Sequence, residues 1–153
     1  MITPIIMIVL LIVPCFIWWL FTRTTQRDFD SQAAAATGLG IVFLFTGMGH
    51  FVRTEAMTTM LPTFVPMKTL VVQISGILEW AIAVALFLPR YRLFSAKVAM
   101  ILLIAIFPLN IYAAANHAPM GGHEWGPVYL WIRGPLQAVL LGWTYFMILK
   151  KAE

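Results

Sequence analysis

The sequence predicts an all-α fold, a polytopic membrane bundle of five transmembrane helices, and three observations predict it. Apolar residues make up 61% of the 153 residues and charged residues only 10%. The mean hydropathy is +0.90, as in membrane rather than soluble domains. The apolar residues also fall into long runs close to the ~20 residues needed to cross ~30 Å of hydrocarbon, separated by short polar or basic clusters. No repeat, low-complexity linker or soluble insert breaks the pattern, so residues 1–153 are expected to form one membrane domain.

The first run, Ile2 to Thr22, is long enough to span. A secretory signal peptide is the competing reading, but no basic residue precedes the run and it is too long. It is read as a retained helix with Pro14 as a place to kink and Trp18 and Trp19 as interfacial anchors. The polar segment RTTQRDFDSQ, Arg23 to Gln32, is a short solvated connection. Helix two runs from about Ala33 to His50. Its small residues at spacings of four, Ala34 with Gly38 and Ala36 with Gly40, suit close helix contact and a central place in the bundle. Phe51 to Lys68 carries Arg53, Glu55, Pro62, Pro66 and Lys68 and cannot span, yet its LPTFVPM core is too apolar for a free loop. It is expected to lie on the bilayer surface or to cap the bundle mouth. Helix three covers about Thr69 to Leu88 and is ended by Pro89, Arg90, Tyr91 and Arg92. Helix four covers about Phe94 to Ala115 with Pro108 inside it, and helix five about Val128 to Leu149, ending at Lys150 and Lys151.

Five spans put the termini on opposite sides. Arg23, Arg27, Arg90, Arg92, Lys97, Lys150 and Lys151 then share one face, leaving Arg53, Lys68 and Arg133 towards the other. The asymmetry predicts an external N-terminus and a cytoplasmic C-terminus in a bacterial inner (cytoplasmic) membrane. The net charge of +4 therefore reads as topology, and no nucleic-acid partner is expected. Cys15, the one cysteine, cannot form an intramolecular disulfide.

Glu79 lies near the middle of helix three, where a charge costs about 2.5–3.5 kcal/mol, so it needs a partner, a proton or a water-filled pocket. Other polar residues share its half of the bundle: His50 ends helix two, Ser75 lies one turn from Glu79, Asn110 sits in helix four, and Arg133 and Gln137 lie one turn apart in helix five. The helical rise puts Glu79 about 15 Å and Arg133 about 8 Å below the outer helix ends, and a Glu79–Arg133 ion pair is the economical solution for both charges. Three readings stay open: a structural pair, a polar pocket handling a headgroup or proton, or a Glu79 facing a lipid-exposed defect. Phe43, Thr46 and His50 share a face that could point into such a pocket, and a histidine can exchange protons near neutral pH. His117 and His123 read as interfacial. Met48, Met57, Met60, Met67 and Met120, with these histidines, would suit copper, but no pair has a recognised ligand spacing and no metal site is assigned. The chain lacks GxSxG, HExxH, CxxC and a phosphate-cradling glycine loop.

The succession GMGHF (Gly47 to Phe51), LPTFVP, ISGILEW (Ile74 to Trp80), LPRYR, FPLNIYAA (Phe107 to Ala114) and RGPLQ (Arg133 to Gln137) closely resembles the DoxX-like family of small membrane proteins, from about Thr37 to Tyr145. The resemblance implies a four-helix core over residues 33–149, with 2–22 an additional N-terminal helix. Gly134 stands where family members commonly have leucine, a departure expected to loosen local packing. The family's recurring polar positions match His50, Glu79, Asn110, Arg133 and Gln137. Some relatives are associated with quinone-linked sulfur oxidation or oxidative-stress complexes, and others act as assembly chaperones.

The leading expectation is a membrane redox component, such as a quinone-linked oxidoreductase subunit. It would bind a quinone or similar apolar small molecule in an outer-half polar cavity within the lipid bilayer. Glu79 and His50 are the candidate catalytic proton carriers. Ser75, Asn110, Arg133 and Gln137 are the candidate substrate-binding residues, the last three holding the carbonyl end. Electrons would come from another membrane or redox protein. The alternative is a non-catalytic membrane chaperone or assembly subunit, and a weaker one is copper or other metal handling at the outer face.

Overall fold

Apolar side chains select the spans, and local polar groups decide where each one starts and stops. In a computed structural model, which describes residues 2–26 and 28–152, the helices are α1 (Ile2–Thr25), α2 (Ser31–Val52), α3 (Thr54–Thr58), α4 (Lys68–Phe87), α5 (Arg92–Ala115) and α6 (Leu130–Gly142). A 3₁₀ segment, His123–Tyr129, leads into α6, and a π-helical stretch, Trp143–Leu149, follows it. Among the described residues there is no strand, and five helices are long and apolar enough to cross a membrane. The chain is an all-α membrane protein. Arg27, one of the basic residues used to orient it, lies outside the described residues.

α1 runs unbroken through Pro14 and continues past its apolar run to Thr25. There the Thr24 and Thr25 hydroxyls both donate back to Phe21 O, at 2.9 and 2.6 Å. α2 begins at Ser31, ahead of the alanines, because Asp30 caps it: Asp30 Oδ1 accepts from Ala33 N at 2.9 Å. α4 ends at Phe87, and Leu88 is extended ahead of Pro89. The last span differs most from expectation. It begins at His123 rather than Val128, because Gly126 takes φ 70 and lets Pro127 turn the 3₁₀ segment into α6.

α2 is the centre of the bundle, packed on α1, α4 and the π-helical stretch. Gly38 lies against the Leu11 backbone of α1, Gly40 against the Phe87 ring, and Gly47 against Gly76 of α4. Leu11, Leu39, Leu86, Leu140 and Ile148 fill the core between these contacts. The apolar outer faces of α1, α4 and α5, with Ile5, Ile12, Ile77 and Ile101 exposed, suit contact with lipid.

The two ends of the bundle differ chemically. At one end the α1–α2 link meets the start of α5 and the C-terminal stretch. Asp30 pairs with Arg92 at 3.8 Å, Gln32 Nε2 donates to Ile148 O at 2.7 Å, and Trp143 Nε1 donates to Ala35 O at 3.1 Å. The other end holds the start of α1, the C-terminus of α2 and the segment after it, and the 3₁₀ segment. The opening lies here. α3 and the turns after it lie over that end, with Lys68 Nζ donating to Leu61 O at 2.9 Å.

Candidate functional site

Close approach of two helices assembles the first wall of the site. A Cβ on Gly76 would lie 2.7 Å from His50 Cβ and 3.1 Å from Gly47 O, closer than side chains normally come. Without those atoms α2 and α4 meet backbone to backbone. The contact brings His50 of α2 against Ser75 and Glu79 of α4. His50 Nε2 lies 3.3 Å from Glu79 Oε1, and Thr46 Oγ1 lies 2.5 Å from Glu79 Oε2. Glu79 is 4% exposed, so these partners replace water.

The far side of the imidazole fixes the protons. His50 Nδ1 is 2.8 Å from Val72 O and 2.9 Å from Ser75 Oγ, while the Ser75 hydroxyl donates to Val72 O at 2.8 Å. A carbonyl oxygen can only accept, so Nδ1 carries a hydrogen. In a neutral ring Nε2 would then turn a lone pair towards the Glu79 carboxylate. One further proton, on Nε2 or on the carboxyl group, makes that contact attractive. The pair is therefore built to hold a single proton between a buried carboxyl group and a half-buried imidazole.

The second wall comes from α5, the 3₁₀ segment and α6. Tyr129, Arg133 and Gln137 follow one another at i, i+4 spacing on one face, and the His123 ring packs edge-on against Tyr129 at 4.8 Å. Gln137 Nε2 donates to Leu103 O at 2.6 Å, and Asn110 Nδ2 to Ile106 O at 3.2 Å. The polar contact of Arg133 is Met7 Sδ of α1, 4.0 Å from Nη1. Arg133 Nε, Gln137 Oε1 and His123 Nε2 are buried with no hydrogen-bond partner among the described residues.

Between the walls lies a cavity of about 860 Å³, and His50, Ser75, Glu79, Asn110, Arg133 and Gln137 all line it. All six residues expected from depth and resemblance thus meet in one space. Its size falls within the usual range for small-molecule sites, about 300–1,000 Å³. Met57, Met60 and Leu61, from α3 and the turns after it, line the cavity too, so this segment forms part of its wall.

One expectation is corrected. Glu79 makes its short contacts to His50 and Thr46, and among the described residues no Glu79–Arg133 ion pair forms within 4 Å. The cause is packing: α4 lies on α2, whereas α6 is reached from α1 and α5. His123 stands at the start of the last span and is 3% exposed and part of the cavity wall, because the glycine turns at Gly122 and Gly126 fold its loop inward. At Gly134 a Cβ would meet nothing within 4 Å beyond its own chain neighbours and helix backbone, so no close approach requires the glycine there. Thr46, Met7 and Tyr129 also belong to the cavity. Thr46 could be placed on the His50 face from the sequence, but nothing there assigned it to Glu79, and Met7 carries no polar signal. His117 stays exposed on the loop, with Nδ1 3.2 Å from Glu124 O. Among the described residues no three of His, Cys, Asp and Glu converge as a metal site.

Residues 39–148 match a family model described as a domain of unknown function (DUF8561). The match starts within α2 and leaves α1 outside. No curated protein and no solved structure matches the chain.

Proposed function

The chain belongs to the DUF8561 family, and within it we propose a membrane redox component that binds a quinone, or a similar apolar molecule with a polar head, in the cavity between α2, α4, α5 and α6. One observation carries the reading. A largely apolar cavity of about 860 Å³ draws together a proton-holding pair, His50 and Glu79, and a set of head-binding groups, Arg133, Gln137 and Asn110. The apolar walls suit a ring and tail, and the few convergent polar groups suit an oxygen-bearing head. The resemblance to the DoxX-like family, some of whose members are quinone-linked, supports the same reading.

In this proposal Arg133, Gln137 and Asn110 hold an oxygen of the head, while Ser75 orients the His50 ring through Nδ1. The His50–Glu79 pair gains or loses the proton that accompanies a change in the head's redox state. Electrons come from a partner protein. Arg23, Arg90, Arg92, Lys97, Lys150 and Lys151 lie towards the end opposite the cavity, which supports a cytoplasmic basic end, an outward-facing cavity and residence in the inner membrane.

The test is native mass spectrometry of the gently purified protein, with solvent extraction of what travels with it. A stoichiometric quinone that is lost in Arg133→Ala is the expected result. An empty cavity with a co-purifying membrane protein would replace the proposal with an assembly role. Glu79→Gln keeps the shape of the side chain, and it is expected to abolish quinone-dependent turnover while leaving the helical content unchanged by circular dichroism.

A further inference from the structure

The unpaired atoms of the second wall are unequal in kind, a donor and two acceptors. Gln137 is 4% exposed, and the bond from its Nε2 to Leu103 O fixes the amide so that Oε1, an acceptor, is the unpaired atom. His123 is 3% exposed, and its Nδ1 lies 2.8 Å from Met120 O. That carbonyl requires a hydrogen on Nδ1, so in the neutral ring the unpaired Nε2 is also an acceptor. Arg133 Nε, one turn from Gln137, is an unpaired donor. Both acceptors and the donor belong to residues that line the same cavity.

A quinone head presents carbonyl oxygens, which could pair with Arg133 but would leave Gln137 Oε1 and His123 Nε2 without a hydrogen. A hydroxyl satisfies both kinds of atom at once: its oxygen accepts from Arg133, and its hydrogen goes to Gln137 Oε1. A buried acceptor facing a ligand that cannot donate is penalised, which is how such a site rejects the analogue lacking the hydroxyl.

We infer that the cavity preferentially binds the hydroxyl-bearing form of its ligand, a quinol or a related phenolic amphiphile, with the hydroxyl seated between Arg133 and Gln137 and its one hydrogen going to Gln137 Oε1 or to His123 Nε2. The inference rests on the quinone-class reading of the cavity and makes the reduced molecule the resting ligand. The preference comes from the second wall and is separate from the proton held by His50 and Glu79.

The experiment measures equilibrium binding of three probes to the full chain in detergent, without oxygen, by isothermal titration calorimetry. The probes are a decyl-benzoquinone, its quinol, and the bis-methyl ether of that quinol, which keeps the ring and oxygens but has no hydrogen to donate. The quinol is expected to bind about tenfold or more tightly than either of the others, the factor for one satisfied buried acceptor. In Gln137→Met the advantage of the quinol over its ether should shrink. His123→Phe keeps a ring against Tyr129 and should reduce the advantage as well. A quinone that binds as tightly as the quinol, or an ether that does, would overturn the inference while leaving the cavity a quinone-class site. Failure of all three probes to bind would overturn that reading, and the inference with it. The three-probe series on the unaltered chain decides the matter even where a variant does not fold.

Discussion

Replacing Gly76 with alanine tests whether backbone contact between α2 and α4 builds the His50–Glu79 pair. The new Cβ would sit 2.7 Å from His50 Cβ and 3.1 Å from Gly47 O. Neither neighbour can move without its backbone, and ordinary carbon contacts lie at about 3.5–4.0 Å. The helices must therefore part locally by about 1 Å, at a cost of about 1–3 kcal/mol for overpacking. The same shift would stretch the 3.3 Å contact between His50 and Glu79 past pairing distance. Alanine also favours a helix over glycine by about 1 kcal/mol, which would mask part of the loss. Gly142→Ala supplies the control, because it is also helical and its Cβ would meet Phe146 Cδ2 at an ordinary 4.0 Å. The difference between the two variants cancels the helix term and isolates the clash. The assay is denaturant unfolding in mild detergent followed by tryptophan fluorescence, with the His50 ring nitrogens followed by NMR. Equal stability of the two variants, with unchanged His50 signals, would refute the packing argument.

Other consequences follow from the same contacts. Thr46→Val is nearly isosteric but removes a hydroxyl 2.5 Å from Glu79 Oε2, and leaving that buried oxygen short of a partner should cost about 1–3 kcal/mol in the same unfolding assay. Lys68→Met removes the donor to Leu61 O, so amide hydrogen exchange should accelerate in the turns around Met60 to Val65 while the middle of α2 keeps its protection.

The five spans were legible because hydrocarbon thickness imposes a length that few other constraints mimic. Their ends were not, since single groups set them: Asp30 starts α2 ahead of its alanines, and hydroxyls at Thr24 and Thr25 carry α1 beyond Thr22. The cavity residues could be found from depth alone, because polar groups within a bilayer are rare and a helix converts residue number into depth. Depth gives no azimuth, however. Arg133 and His50 both lay within reach of Glu79, and the choice fell to the meeting of Gly47 with Gly76, which a sequence shows only as small residues. His123 escaped for a related reason. The run GGHEWGP reads as a flexible loop, and only the positive φ angles at Gly122 and Gly126 turn the imidazole inward.

The contrast between the walls separates two roles that a single pocket could confuse. Glu79 finds Thr46 and His50, and the ring finds Val72 and Ser75, so the α2–α4 wall satisfies its own polar atoms. The wall of α6 and the 3₁₀ segment does not: Arg133 Nε, Gln137 Oε1 and His123 Nε2 have no partner among the described residues. Groups already satisfied gain little from a ligand, whereas buried unsatisfied ones gain the bond they lacked. On the proposed reading, substitutions in the second wall therefore act mainly on affinity and on the choice between hydroxyl and carbonyl heads. Substitutions of His50 or Glu79 act mainly on turnover itself, because that pair holds the exchangeable proton. A variant of Glu79 that weakened binding of the bis-methyl ether as strongly as Arg133→Ala does would show that the two walls act as one.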